Sequence, residues 1–120
     1  MANMLLRVDH SSPRSLADQL EAQVRAAVAS GELSAGDRLP PARELADSLG
    51  INMHTVLRAY AALRDDGLLE MRRGRGAWVA ESAGPGLVRV TALVEQLAAE
   101  ARRSGISRAD VIRLLERTAL

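Results

Sequence analysis

The chain has 120 residues, 48% apolar and 26% charged, with a formal net charge of +1. This suits one small folded domain with an appendage; it is too short for two full domains and too apolar for a disordered chain. The absence of Cys excludes disulfides, thiolate metal sites and a Cys nucleophile, and the near-neutral balance leaves local clustering to decide on a polyanionic partner.

With no Phe, one Trp and one Tyr, the core must be Leu, Val, Ile and Ala, which suits helices better than a large sheet. The 16 residues counted as Lys or Arg are all Arg, whose planar donors match phosphate and guanine. No apolar run is long enough to cross a bilayer and the first residues are unlike a signal peptide, so a cytoplasmic protein without a membrane partner is expected.

In chain order, Met4 to Val8 is a short apolar stub that fits an edge strand or an arm on a partner. Ser12-Pro13 has the pattern of an N-cap followed by Pro at the first helical position. Leu16, Leu20, Val24 and Val28 recur at i, i+4, and Gly31 is the expected stop, so the spacing predicts a helix over 14–29. Residues 31–40 read as turns. A second helix is predicted over 41–49, opened by Pro41, carrying Leu45, Ala46 and Leu49, and stopped by Gly50. Asn52 is a suitable N-cap for a third helix over 53–66, which Gly67 ends. Two helices joined by so short a Gly-containing turn have the spacing of a helix-turn-helix.

The period then changes. Leu68 to Met71 and Ala77 to Ala80 are strand-like, and between them Arg72-Arg73-Gly74-Arg75-Gly76 makes a hairpin tip. Residues 81–86 have the composition of a linker. Leu87, Val90, Val94 and Leu97 line one helical stripe, which Gly105 breaks. Ser107 with Asp110 resembles a capping box, and Val111, Leu114 and Leu115 make a short last helix. The expected fold class is mainly α. A winged helix-turn-helix of three helices plus a β-hairpin wing fills 1–80, and a two-helix dimerisation hairpin fills 87–120.

Two places carry chemistry. On the third helix, Ile51, Val56, Tyr60 and Leu63 face a core. Asn52, Met53, His54 and Thr55, with Leu57 and Arg58 one turn on, project outward. In a helix-turn-helix these are the positions that meet base edges: Asn pairs with adenine, Thr touches a thymine methyl, Arg takes guanine or phosphate, and the helix start offers free amides. A plain amphipathic helix with a capped start accounts for the same residues. The second place is the hairpin tip. Arg72, Arg73 and Arg75 repel one another without a counter-charge, which a sugar–phosphate backbone supplies, and Gly74 and Gly76 let main-chain amides come close. A solvated basic turn is the bland alternative.

Arg43 stands near the start of the second helix, where that helix crosses the DNA backbone in this mode; pairing with Asp47 at i+4 competes. His10 and His54 lack metal-site spacing, and no acid–base or nucleophile pair is present, so neither a cofactor nor an enzyme is expected. The stripe of Leu87, Val90, Val94 and Leu97, with Val111, Leu114 and Leu115, needs a cover. It either folds back on the first helix or forms a homodimer interface, and the dimer fits two-fold reading of paired half-sites better.

At this point the run SGELSAGDRLPPARELADSLGINMHTVLRAYAALRDDGLLEMRRGRGAWV resembles the DNA-binding domain of GntR-type bacterial transcription regulators, over about residues 12–80. The Gly-Glu-Leu, Gly-Asp-Arg-Leu-Pro, Arg-Glu-Leu-Ala, Leu-Gly, Thr-Val, Gly-Leu-Leu and Gly-Arg-Gly elements occur in order. The short helical tail and the Asn52 to Tyr60 pattern are similar to the YtrA-type subgroup. The resemblance implies a repressor, usually dimeric, that releases double-stranded DNA on a signal. It implies a backbone contact for Arg43, a recognition-helix start at Asn52 to Thr55, and a wing-tip Gly74 entering the minor groove between Arg73 and Arg75. Pro41 and Ala42 stand where many members have Ser then Glu. Met53 and Leu57 stand where many have Arg, so guanine readout does not carry over to those two positions. Two rivals are a winged module that docks on proteins, and a regulator with a small-molecule effector pocket in its helical tail.

Overall fold

A computed structural model describes residues 6–119, comprising α1 (Leu16–Ser30), α2 (Ala42–Leu49), α3 (Met53–Asp65), β1 (Leu69–Arg72), β2 (Gly76–Val79), α4 (Pro85–Ser104) and α5 (Arg108–Glu116). Five helices and one two-stranded antiparallel hairpin make a mainly helical winged helix-turn-helix with a helical tail. The chain divides into two compact units after Arg89, within α4.

Of the expected stripe of α1, Leu20, Val24 and Val28 are buried, together with Ala17 and Ala27, while Leu16 at the helix start is half-buried. The helix starts later than expected. Ser12 makes only a local turn, its hydroxyl accepting from the Arg14 amide at 3.2 Å. Ser15 is the N-cap, accepting from the Asp18 amide at 3.0 Å. Both serines can cap, but only Ser15 has an acid three residues on in the first turn, where the helix dipole favours it.

The stub differs too. Met4 and Leu5 lie outside the described residues. From Leu6 on, the segment is neither a strand nor a free arm. Leu6 is buried in the core and Val8 packs against it. Gln23 clamps the backbone between them: the Arg7 amide donates to Gln23 Oε1 at 2.9 Å, and Gln23 Nε2 donates to the Arg7 carbonyl at 2.5 Å.

α3 is the central element of the first unit and packs on both α1 and α2. Val56, Ala59, Tyr60 and Leu63 are buried on its inner face, against Leu20 and Val24 of α1 and Leu45 and Ala46 of α2. Each large side chain taken fully from water contributes about 1.5–3 kcal/mol. Arg25 on α1 also pairs with Asp66, the C-cap of α3, and with Glu21 at 3.7 Å. Burial holds the Glu21 carboxyl above the usual carboxylate range, while Arg25 pulls it the other way.

Gly50 makes the helix-turn-helix possible. Its φ of 67° is left-handed, and its amide and that of Ile51 donate back to Asp47 and Ala46 as α2 ends. A side chain there would be strained, so Gly lets α3 begin three residues later.

The tail departs from expectation at its start. Residues 81–86 are not all linker, because Pro85 and Gly86 already belong to α4. Leu87 and Val88 then pack against the core of the first unit. Leu87 therefore belongs with the winged core and not with the exposed stripe, although its period is the same. In the second unit, Gly105 separates α4 from α5, and Ser107 caps α5 by accepting from the Asp110 amide at 3.2 Å. No helix among the described residues is long and apolar enough to cross a membrane.

Candidate nucleic-acid interface

α3 is polar outward from its first turn. His54 and Arg58 are exposed, Thr55 and Leu57 half-buried. Asn52 is the cap expected: its Oδ1 accepts from the His54 amide at 2.8 Å, leaving the side-chain amide as its outward group. The His54 amide is thereby spoken for, as is that of Thr55, which donates to the Asn52 carbonyl at 3.0 Å. The helix start is thus less open to an anion than its sequence implies. Met53 corrects expectation: it is half-buried and packs against the core, because its position falls on the boundary between the two faces.

The wing pairs Leu69 with Val79, Glu70 with Trp78, Met71 with Ala77 and Arg72 with Gly76. The alternation buries Ala77 and Val79 and leaves Trp78 half-buried, its indole N–H donating to Glu70 Oε2 at 2.8 Å. At the tip the Arg75 amide donates to the Arg72 carbonyl at 2.9 Å, a four-residue turn whose third residue is Gly74 with φ 80°. That position of a type II turn demands a positive φ, which explains Gly. Arg72, Arg73 and Arg75 are all exposed there.

The wing is wider than two strands. Arg38 forms a bridge to Trp78 on the outer edge of β2, and the Leu39 amide donates to the Ala77 carbonyl at 2.9 Å while the Val79 amide donates to the Asp37 carbonyl at 2.8 Å. Arg38 Nη1 then donates to the Arg75 carbonyl at 2.6 Å. Sequence reasoning missed Arg38. It lay in a segment read as turn, and its partner is 37 residues away.

α3 and the wing border one groove of about 370 Å³. Leu57, Tyr60 and Arg64 of α3 form one wall; Met71 to Gly74, Gly76 and Ala77 of the wing form another; Pro40, Pro41 and Ala42 close its end. The Tyr60 hydroxyl donates to the Pro40 carbonyl at 2.7 Å, tying the floor of the groove to the start of α2. Burial pushes the Tyr60 phenol well above its usual range. Arg43 is exposed on the first turn of α2, one residue beyond this end. The competing pair with Asp47 is not formed: among the described residues, Arg43, Arg58, Arg72, Arg73 and Arg75 enter no ion pair.

In the second unit, Val90, Val94, Leu97, Leu114 and Leu115 are exposed, and Val111 is half-buried. Leu93, Ile106 and Ile112 are exposed as well and were not expected on this face. Leu93 is the most open, at 61%. Between α4 and α5 runs a groove of about 380 Å³, lined by Leu97, Ala101, Ile106 and Leu115 among others, with Arg102 and Arg108 at its border.

Residues 16–79 match the family described as "Bacterial regulatory proteins, gntR family". The chain is 36% identical over 110 residues to the HTH-type transcriptional regulator Rv1152 of Mycobacterium tuberculosis, covering 92% of this chain and 90% of that one. It is 35% identical over 95 residues to the HTH-type transcriptional repressor YtrA of Bacillus subtilis, covering 78% and 73%. Some relatives are far longer: of one from Rhizobium meliloti the chain spans 15%. Among solved structures, YtrA from Sulfolobus acidocaldarius superposes with a TM-score of 0.61 at 35% identity, over 79% of this chain and 99% of that one. The AraR DNA-binding domain in complex with operator ORX1 gives 0.55 at 25% identity, over 65% and 100%.

Proposed function

This chain belongs to the GntR family of transcription regulators, which bind DNA through a winged helix-turn-helix, and on that premise we propose that it is a repressor binding a pseudo-palindromic operator as a homodimer. One observation carries the reading: Leu57 and Arg64 of α3 and the arginine-tipped wing border one groove, and Arg72 and Arg73 on its wall, like Arg43, Arg58 and Arg75, enter no ion pair among the described residues. A row of unpaired guanidiniums repels itself unless an anion approaches, and a duplex supplies phosphates at regular spacing.

In this reading Arg43, Arg72, Arg73 and Arg75 hold phosphates, and Gly74 enters the minor groove. The Asn52 side-chain amide, His54, Thr55 and Arg58 meet base edges, and Met53 supports them from the core side. The second unit supplies the two-fold: Val90, Val94, Leu97, Leu114 and Leu115 form an apolar surface that a second copy would cover. The name of the repressor YtrA supports the sign of the effect.

Selection of bound sequences from a random duplex pool tests the reading. It should enrich an inverted repeat whose half-site spacing fits one helical turn or a multiple of it. No enrichment, or a single asymmetric site, would remove the operator assignment. Transcription from a promoter carrying the selected site should then fall when the protein is added, and a rise would make it an activator. A small-molecule effector is a second reading, favoured by the groove between α4 and α5; a thermal-shift screen showing no stabilising compound class would leave it without support.

A further inference from the structure

We infer that Arg38 is a wing-positioning residue: from the outer edge of β2 it holds the backbone of the wing tip and so sets where Arg73, Gly74 and Arg75 stand against a duplex. The inference rests on the wing binding DNA, as proposed above.

Three observations converge on it. The segment before α2 is fixed to β2 by main-chain bonds on both sides of Arg38, from Leu39 to Ala77 and from Val79 to Asp37. The origin of the Arg38 side chain is therefore rigid. Cross-strand neighbours project to the same face, so Arg38, Trp78 and Glu70 form one row across the three segments. From that row Arg38 Nη1 reaches along to the Arg75 carbonyl at 2.6 Å. The same residue is held from the other side, since the Arg75 amide donates to the Arg72 carbonyl. Arg75 is thus held through both its amide and its carbonyl. A three-residue loop of Arg73, Gly74 and Arg75 has no side-chain packing of its own, and its charges push it open. A charged donor on the Arg75 carbonyl opposes that, and such bonds are the stronger kind. The cost of ordering the loop is then met before DNA arrives, which favours binding.

Arg38→Met keeps the aliphatic stem and removes both charge and donor. In the DNA-free protein, the Arg75 and Gly76 amides should exchange about tenfold faster, with α1 and α3 amides unchanged. Affinity for the selected duplex should fall about tenfold. In an Arg75→Ala background, Arg38→Met should cost less, because one of the side chains it positions is gone while Arg73 and Gly74 remain. Unchanged tip exchange would overturn the inference. So would a full affinity loss persisting beside Arg75→Ala, which would make Arg38 a direct phosphate ligand. If the unaltered protein binds no duplex, the proposed function fails, while the exchange measurement still decides whether Arg38 holds the tip.

Discussion

Asn52 Oδ1 accepts the His54 amide at 2.8 Å, so the residue best suited to read adenine has its acceptor turned into its own helix. Bidentate pairing with adenine needs both an acceptor and a donor from the amide. Only the donor faces outward here. Asn52→Ala should therefore act first on stability, lowering it by about 1 kcal/mol in urea denaturation as the cap is lost. Asn52→Asp keeps the acceptor and should stay close to the parent in stability. It should still weaken duplex binding, because a carboxylate replaces the outward amide beside phosphates. If Asn52→Ala left the urea midpoint unchanged while altering site preference, the cap would be incidental and the reading role dominant.

A second prediction concerns pH. Tyr60 is the only tyrosine, so phenolate absorbance reports it alone. Its hydroxyl donates to the Pro40 carbonyl from a buried site, and burial raises its pKa. The unfolded chain ionises near the ordinary phenol value of about 10. A group whose folded value is raised gives stability that is full below the unfolded value and is lost as pH climbs above it. Stability should thus be flat through neutral pH for this group and decline from about pH 10 upward, with phenolate appearing only as the protein unfolds. Tyr60→Phe should remove that decline and lower stability by about 1–3 kcal/mol at neutral pH, since a carbonyl loses its donor. A phenolate signal rising at the ordinary value in the folded protein would contradict the buried placement.

What the sequence made legible was local. Gly50 and Gly67 stop helices through their own backbones, and Asn52 caps through the next turn, so short-range pattern sufficed for α2 and α3. Ser12 and Ser15 compete as caps within four residues, and only the acid at Asp18 separates them. Met53 sits at the edge between the faces of α3, where a shift of a few tens of degrees decides between core and groove. Leu87 and Val90 share one helical period yet belong to different units. Periodicity reports a face, not what covers it. Arg38 depends on strand pairing with a segment far along the chain, which no local pattern encodes.

The wing and α3 should separate in their effects. Arg73→Ala and Arg75→Ala each remove one exposed cation and no internal partner. Each should weaken binding to all duplexes alike and reduce the slope of log affinity against log salt by about 1. His54→Ala should change the preferred sequence while leaving that slope nearly as it was. Filter binding across a salt series, with selected and scrambled duplexes, reads both quantities. An Arg75→Ala protein with unchanged affinity at every salt concentration would remove the wing from the interface. Met53→Ala belongs to neither class: its side chain packs on the core, so its main effect should be on stability.

The tail gives the last prediction. Leu97 is exposed at 40% and lines the groove between α4 and α5 together with Ala101, the one buried residue among the described residues of the second unit. If a second copy covers this surface, Leu97→Glu places a carboxylate in an apolar contact, where it has no partner and loses its water. Sedimentation should show the dimer weakened by about thirtyfold or more, as for the loss of a central anchor. The winged unit should be untouched, because Leu97 lies in the other unit and its core is separate. A duplex with one half-site should then bind as before, while a two-half-site duplex should lose the advantage that linkage gives. Arg117→Glu, at an exposed C-cap outside the apolar stripe, is the charge control and should leave the dimer intact. If Leu97→Glu stayed dimeric at the same concentrations, the exposed stripe would not be the contact surface. If it became monomeric yet bound the full site undiminished, pairing would play no part in recognition, and the two-fold operator would have to be abandoned.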